Sequence, residues 1–141
     1  MAYVITARIF QSNPTRFATL VEQTCQVNAS WAECKGAYVL SMTGSGTCGT
    51  LRFHLANGEY ILVALGVHNY KRWCDVKTAV DPSNATGMTI HPKYYQDGTA
   101  ENAMIWKQLA EYSVKSAQGT TCSVNYSVAD GNNLVADIII Q

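Results

Sequence analysis

Thr50-Leu51-Arg52-Phe53-His54-Leu55, then Ala56-Asn57-Gly58, then Glu59-Tyr60-Ile61-Leu62-Val63-Ala64-Leu65-Gly66-Val67 is the run whose reading decides the fold. The first six residues alternate apolar and polar, the period of a β-strand. Asn-Gly is the strongest short hairpin signal, because tight hairpin turns need positive φ, which these two residues tolerate. The run from Glu59 to Val67 then reads as the returning strand.

Upstream, Thr43-Gly44-Ser45-Gly46-Thr47-Cys48-Gly49 holds a literal G-x-G-x-x-G. A dinucleotide fingerprint must open a helix so that the pyrophosphate meets the helix N-terminus. A strand follows here, so the glycines form a loop whose backbone can approach another surface closely. Further back, Tyr3 to Phe10, Phe17 to Cys25 and Ala37 to Met42 read as strands, and Gln26 to Lys35 as an irregular segment with Trp31 plugging the core edge.

Downstream, Gly66-Val67-His68-Asn69-Tyr70-Lys71-Arg72-Trp73-Cys74-Asp75-Val76-Lys77-Thr78 leaves a strand, presents His68, Asn69 and Tyr70, and re-enters a strand near Arg72. Loops at strand ends are where rigid scaffolds carry function. The Ser45 and Asn69 loops belong to neighbouring connections of one meander and can face the same space. Asp81 to Asn84 and Thr86-Gly87 read as turns, and Ile90-His91-Pro92 as a break in any helix. Thr99 is a natural N-cap with Glu101 in the first turn, and Ile105, Leu109 and Tyr112 recur at helical spacing, so Glu101 to Glu111 reads as a helix. Thr120 to Val128 and Leu134 to Ile140 return to strand. Many short strands and one late helix predict an antiparallel β-sandwich.

The 141 residues suit one domain. Ten Lys plus Arg balance ten Asp plus Glu, so no bulk attraction to nucleic acid or anionic lipid follows. Charged residues are 14% of the chain, beside eight Tyr and three Trp, so much of the surface must be neutral polar and aromatic. That suits an oligomer or a neutral, hydroxyl-rich ligand. The N-terminus shows no signal-peptide pattern, which predicts a cytoplasmic protein, and no window has the apolar length of a membrane helix. Five cysteines lack a C-x-x-C pair and predict neither a disulfide framework nor a zinc site. Sequons at Asn28, Asn84 and Asn125 matter only in a secretory pathway.

An enzyme reading draws on His68, Cys74 and Asp75, but triads are recognised by geometry, and the alternation buries Cys74, where a thiol is inert. His54, His68 and His91 lack metal-ligand spacing, and no cofactor is called for. A neutral-sugar site fits better. Hydroxyl pairs on a pyranose match Asn and Asp side chains and exposed loop amides, and Ser45, Gly46, Asn69, Asp75 and Tyr112 supply such groups among aromatics.

The ten residues Gly66 to Asp75 resemble the signature of the fungal fruit-body lectins, the mushroom and boletus lectins with an actinoporin-like fold. So do Phe10 to Pro14, Gly44 to Phe53, Pro92 to Tyr95, Lys107 to Tyr112 and Gly131 to Leu134. The resemblance implies two sheets joined by a helix-loop-helix, a homotetramer, and glycans or glycoproteins as partners. It implies one site for the Galβ1-3GalNAc disaccharide at Ser45, Gly46, His68 and Asn69, with a backbone contact from the Gln26 to Ser30 segment, which departs from the family's usual pattern. It implies a second, for N-acetylglucosamine, at Asp75, Val76, Thr78 and Tyr112, with Glu101 standing where the family carries Arg. A guanidinium donates hydrogen bonds while a carboxylate accepts them, so an altered second site is expected. The rival reading is an actinoporin-like pore former. Those toxins insert an amphipathic N-terminal helix, whereas strand alternation here starts at Tyr3, so no membrane insertion is expected.

Overall fold

A computed structural model describes residues 2–81, 83 and 85–141. The sequon at Asn84 and part of the expected turn at Asp81 to Asn84 lie outside the described residues. The strands are β1 (Tyr3–Gln11), β2 (Ala18–Cys25), β3 (Ala29–Cys34), β4 (Ala37–Met42), β5 (Thr47–Leu55), β6 (Tyr60–His68), β7 (Lys71–Lys77), β8 (Glu111–Lys115), β9 (Thr121–Val128) and β10 (Asn133–Ile140). They form a six-stranded sheet, β3-β4-β1-β10-β9-β8, and a four-stranded sheet, β2-β5-β6-β7. Between β7 and β8 lie a short helix α1 (Gly87–Ile90), a 3-10 turn (His91–Tyr95) and helix α2 (Ala100–Lys107).

The hairpin expected at Asn57-Gly58 forms, with Gly58 but not Asn57 left-handed. Gly58 sits at φ +95, and the Leu55 amide donates to the Glu59 carbonyl over 2.8 Å to close the loop. Alternating side chains of β1, β5, β6, β9 and β10, among them Ile5, Leu51, Phe53, Val63, Leu65, Val124 and Ile138, fill the space between the sheets. Strand β6 is buried on both faces. Its Leu62 and Ala64 point away from the sandwich into a second cluster with Trp73, Ile90, Tyr94 and Ile105, where the helical segment covers the outer face. That double burial is why Tyr60 to Val67 is almost continuously apolar. Gly66 is required by this packing, because a Cβ there would stand 2.5 Å from the Cys48 Cβ and 2.8 Å from the Trp73 indole nitrogen.

Glu22 ties the helical layer to the sheet. Its carboxylate accepts from Arg52 Nε at 2.7 Å and from the Gly87 amide at 2.6 Å. Negative charge at the first amides of a helix is favourable.

Four expectations need correction. The sandwich is not wholly antiparallel, because β1 and β10 run parallel from Val4↔Asn133 to Gln11↔Ile140. Gln26 to Lys35 is not irregular throughout, since β3 pairs with β4 there. Trp31 does plug the edge, its indole nitrogen donating to the Thr24 carbonyl over 2.9 Å. Ile90-His91-Pro92 does not break the helical path. α1 continues into the 3-10 turn, and Pro92 falls in its first turn, where no amide donor is needed. Finally, α2 stops at Lys107 rather than Glu111. Gln108 turns left-handed at φ 49, so Leu109 packs on the sandwich core and Tyr112 stands on β8. The helix start is as read, the Thr99 hydroxyl accepting from the Asn102 amide at 3.0 Å.

Candidate functional site

The glycine-rich loop and the β6–β7 turn meet. Asn69 and Tyr70 are both left-handed, at φ 49 and 65, which makes a tight two-residue hairpin turn. The Tyr70 amide donates to the Ser45 hydroxyl oxygen over 3.0 Å, and the Gly46 amide donates to the Val67 carbonyl over 2.8 Å. Ser45, Gly46, His68, Asn69, Tyr70 and Trp106 line the resulting open depression of about 440 Å³. None of the six is charged.

Each lining group has a definable capacity. Ser45 spends a lone pair on Tyr70 but keeps its hydroxyl proton and a further lone pair. The Asn69 carboxamide is exposed and makes no hydrogen bond among the described residues, leaving two N–H donors and a carbonyl acceptor. The Gly46 amide is committed, so this residue contributes bare space. Its φ is +89, and nothing lies within 4 Å of where a Cβ would stand. His68 is half-buried, its ring edge-on to Trp106 at a centroid distance of 4.5 Å. Gln108 Nε2 donates to the His68 carbonyl over 2.7 Å, which pins the end of α2 to the hairpin.

Of the residues expected here, Ser45, Gly46, His68 and Asn69 come together. The Gln26 side chain instead borders a separate groove with Thr24, Cys25, His91 and Tyr95. Its backbone still braces the loop, the Gln26 amide donating to the Cys48 carbonyl over 2.9 Å and the Thr47 hydroxyl to the Val27 carbonyl over 2.9 Å. Trp106 was missed by the sequence reading. Tyr70, which the loop presents as read, is 75% exposed but was not named as a sugar contact.

The second expected set is more dispersed. Asp75 is buried, its two oxygens accepting from the Val76 amide and the Tyr94 hydroxyl, each at 2.8 Å. Burial raises its carboxyl above the usual value against the pull of Tyr94 and Lys77. The Lys77 ammonium lies 3.3 Å from Glu101 and 4.0 Å from Asp75. Burial also acts upward on Glu101, but hydrogen bonding and Lys77 together hold it below the usual value. Val76 packs into the sandwich core. Thr78 and Tyr112 face different depressions, Thr78 with Tyr60 and Ser116, and Tyr112 with Ser113 and Asn125. Lys77 and Tyr94 are the partners that the sequence reading did not name.

His68, Cys74 and Asp75 do not assemble as a triad. The Cys74 thiol is pushed up to about 12 by burial and points at the Leu109 carbonyl, 3.6 Å away. Among the described residues no group of three His, Cys, Asp or Glu is placed to hold a metal ion.

A family model described as fungal fruit body lectin matches residues 1–138. The chain belongs to this family. It is 50% identical to the Boletus edulis lectin, with each chain covered completely. The crystal structure of wild-type Xerocomus chrysenteron lectin superposes with a TM-score of 0.95 at 48% identity, covering 100% of both chains. A methionine-substituted form of that lectin matches equally, at 0.95 and 48%, over 100% of this chain and 99% of the other. As a fruit body lectin the protein binds carbohydrate and is not an enzyme.

Proposed function

We propose that this lectin binds the Galβ1-3GalNAc disaccharide of O-glycans at the depression formed by Ser45, Gly46 and Asn69. The observation that carries the reading is the bond from the Tyr70 amide to Ser45. It holds a free carboxamide and a free hydroxyl proton side by side over glycine backbone, a donor and acceptor set matched to adjacent sugar hydroxyls. The lectin works as a cytoplasmic, defensive homotetramer that cross-links glycosylated surfaces. Linking shallow sites in this way raises avidity by roughly two to four orders of magnitude without new contacts.

The N-acetylglucosamine site is altered. Glu101 is engaged by Lys77, so a carboxylate and an ammonium stand where the family's site calls for a guanidinium. Isothermal titration with Galβ1-3GalNAc and with chitooligosaccharides, alongside light scattering and erythrocyte agglutination, tests both statements. The disaccharide should bind, Asn69→Ala should abolish binding and agglutination while the oligomer persists, and chitooligosaccharides should bind weakly. Normal agglutination by Asn69→Ala would refute the site, and sugar-independent dye release from vesicles would point to membrane activity instead.

A further inference from the structure

Hydrogen bonding to sugar hydroxyls leaves Trp106 unexplained. Trp73 is buried and Trp31 half-buried, whereas Trp106, in the last turn of α2, is 62% exposed. A large exposed ring beside unsatisfied polar groups marks a surface that covers something. Two contacts fix its place. The His68 imidazole meets the indole at an interplanar angle of 83°, and Gln108 anchors the helix end to the His68 carbonyl. Both His68 ring nitrogens are covered and lack a hydrogen-bond partner among the described residues. The imidazole therefore props the indole.

A galacto-configured pyranose has an axial 4-hydroxyl, which leaves the C3, C4 and C5 hydrogens together on the opposite face. A gluco-configured ring has an equatorial 4-hydroxyl, and its ring hydrogens alternate between faces. One apolar patch on one face is what a flat aromatic wall can cover, through many weak C–H contacts and the release of water.

We propose that Trp106 is the apolar wall of this site. Its indole covers the C–H face of the terminal galactose while Ser45 and Asn69 take the hydroxyls, and this contact discriminates against the gluco epimer. The inference rests on the disaccharide reading above.

The test is calorimetry with Galβ1-3GalNAc and its C4 epimer Glcβ1-3GalNAc on the parent lectin and on Trp106→Ala, Trp106→Phe and Asn69→Ala. Trp106→Ala should weaken disaccharide binding about tenfold, equivalent to about 1.4 kcal/mol, and narrow the preference for galactose over glucose. Trp106→Phe should lie between. In the parent, saturating disaccharide should shift tryptophan emission to the blue, and the shift should vanish in Trp106→Phe. Unchanged affinity, or an unchanged preference ratio, in a folded Trp106→Ala protein overturns the inference while the loss in Asn69→Ala leaves the site itself standing. A parent lectin that binds no galactoside overturns both.

Discussion

The Tyr70 amide and the Ser45 hydroxyl, 3.0 Å apart, join two turns far apart in sequence into one rigid rim. Removing the hydroxyl leaves the turn without its brace. Ser45→Ala should cost about 1 kcal/mol of stability and weaken Galβ1-3GalNAc more than it weakens the fold. Urea denaturation and calorimetry on the same preparation separate the two effects, and unaltered affinity would show that the hydroxyl is only a brace.

Tyr70 holds φ 65 with its ring three-quarters exposed, so its backbone strain is not offset by burial. A left-handed conformation costs a non-glycine residue roughly 1–2 kcal/mol, and glycine gives back roughly half of that in chain entropy. Tyr70→Gly should therefore stabilise the protein by about 0.5–1 kcal/mol, raising Tm by about 1–4 °C. A lowered Tm would mean that the tyrosine ring packs in solution.

Glu22 governs the acid side of the stability curve. Burial alone raises its carboxyl, but Arg52 and the Gly87 and Met88 amides together hold it below the usual value. The folded state then binds fewer protons than the unfolded one. Its contribution is complete above the unfolded value of about 4.3 and is lost as pH falls through the folded value. Asp75 acts oppositely, since its raised carboxyl favours the folded state as pH falls. Glu22→Gln should cost about 1–3 kcal/mol at neutral pH, with the gap to the parent closing below about pH 4. Urea midpoints that stay parallel across that range would remove Glu22 from the account.

Lys77 and Glu101 form one exchangeable pair. Glu101→Arg alone would set two cations side by side against a buried carboxylate. Combined with Lys77→Ala, it should leave one guanidinium near Asp75 and strengthen N-acetylglucosamine binding about tenfold or more. Equal, weak titrations for the parent and the double variant would place the defect elsewhere.

Thiol reactivity reports the core. Cys25 and Cys34 are exposed, whereas Cys48, Cys74 and Cys122 are buried, each thiol pushed up to about 12 by burial. A disulfide reagent at neutral pH should titrate two thiols per native chain and five after denaturation. A third native thiol would reveal local opening at the sheet interface.

Local periodicity explains what was legible. Leu51, Phe53 and Leu55 share a face because strand side chains alternate, and Asn57-Gly58 can hardly do anything but turn. Ser45 meets Asn69 because the antiparallel β5–β6 pair, Thr47 opposite Val67, brings the loop before β5 and the turn after β6 to the same end. Gln108 hid its turn, because a left-handed glutamine looks in sequence like one more helical residue, and Leu109 and Tyr112 happened to continue the helical spacing. β3 was obscured because most of its residues are exposed, so it carries little alternation. Trp106 was invisible as a site residue since only the docking of α2 brings it to His68.

The parallel pairing of β1 with β10 has a consequence for how the molecule is made. The middle of the six-stranded sheet joins residues near opposite ends of the sequence, Ile5 to Leu134 and Ile9 to Ile138. On the ribosome β1 can pair with β4, but its other edge stays open until β10 emerges. Such long-range pairings fold slowly, and an open edge invites pairing with other chains. Arg8 stands on that edge and finds its Asp137 partner, 2.7 Å away, when the sheet closes. A lone charge on an unpaired strand disfavours pairing with other chains.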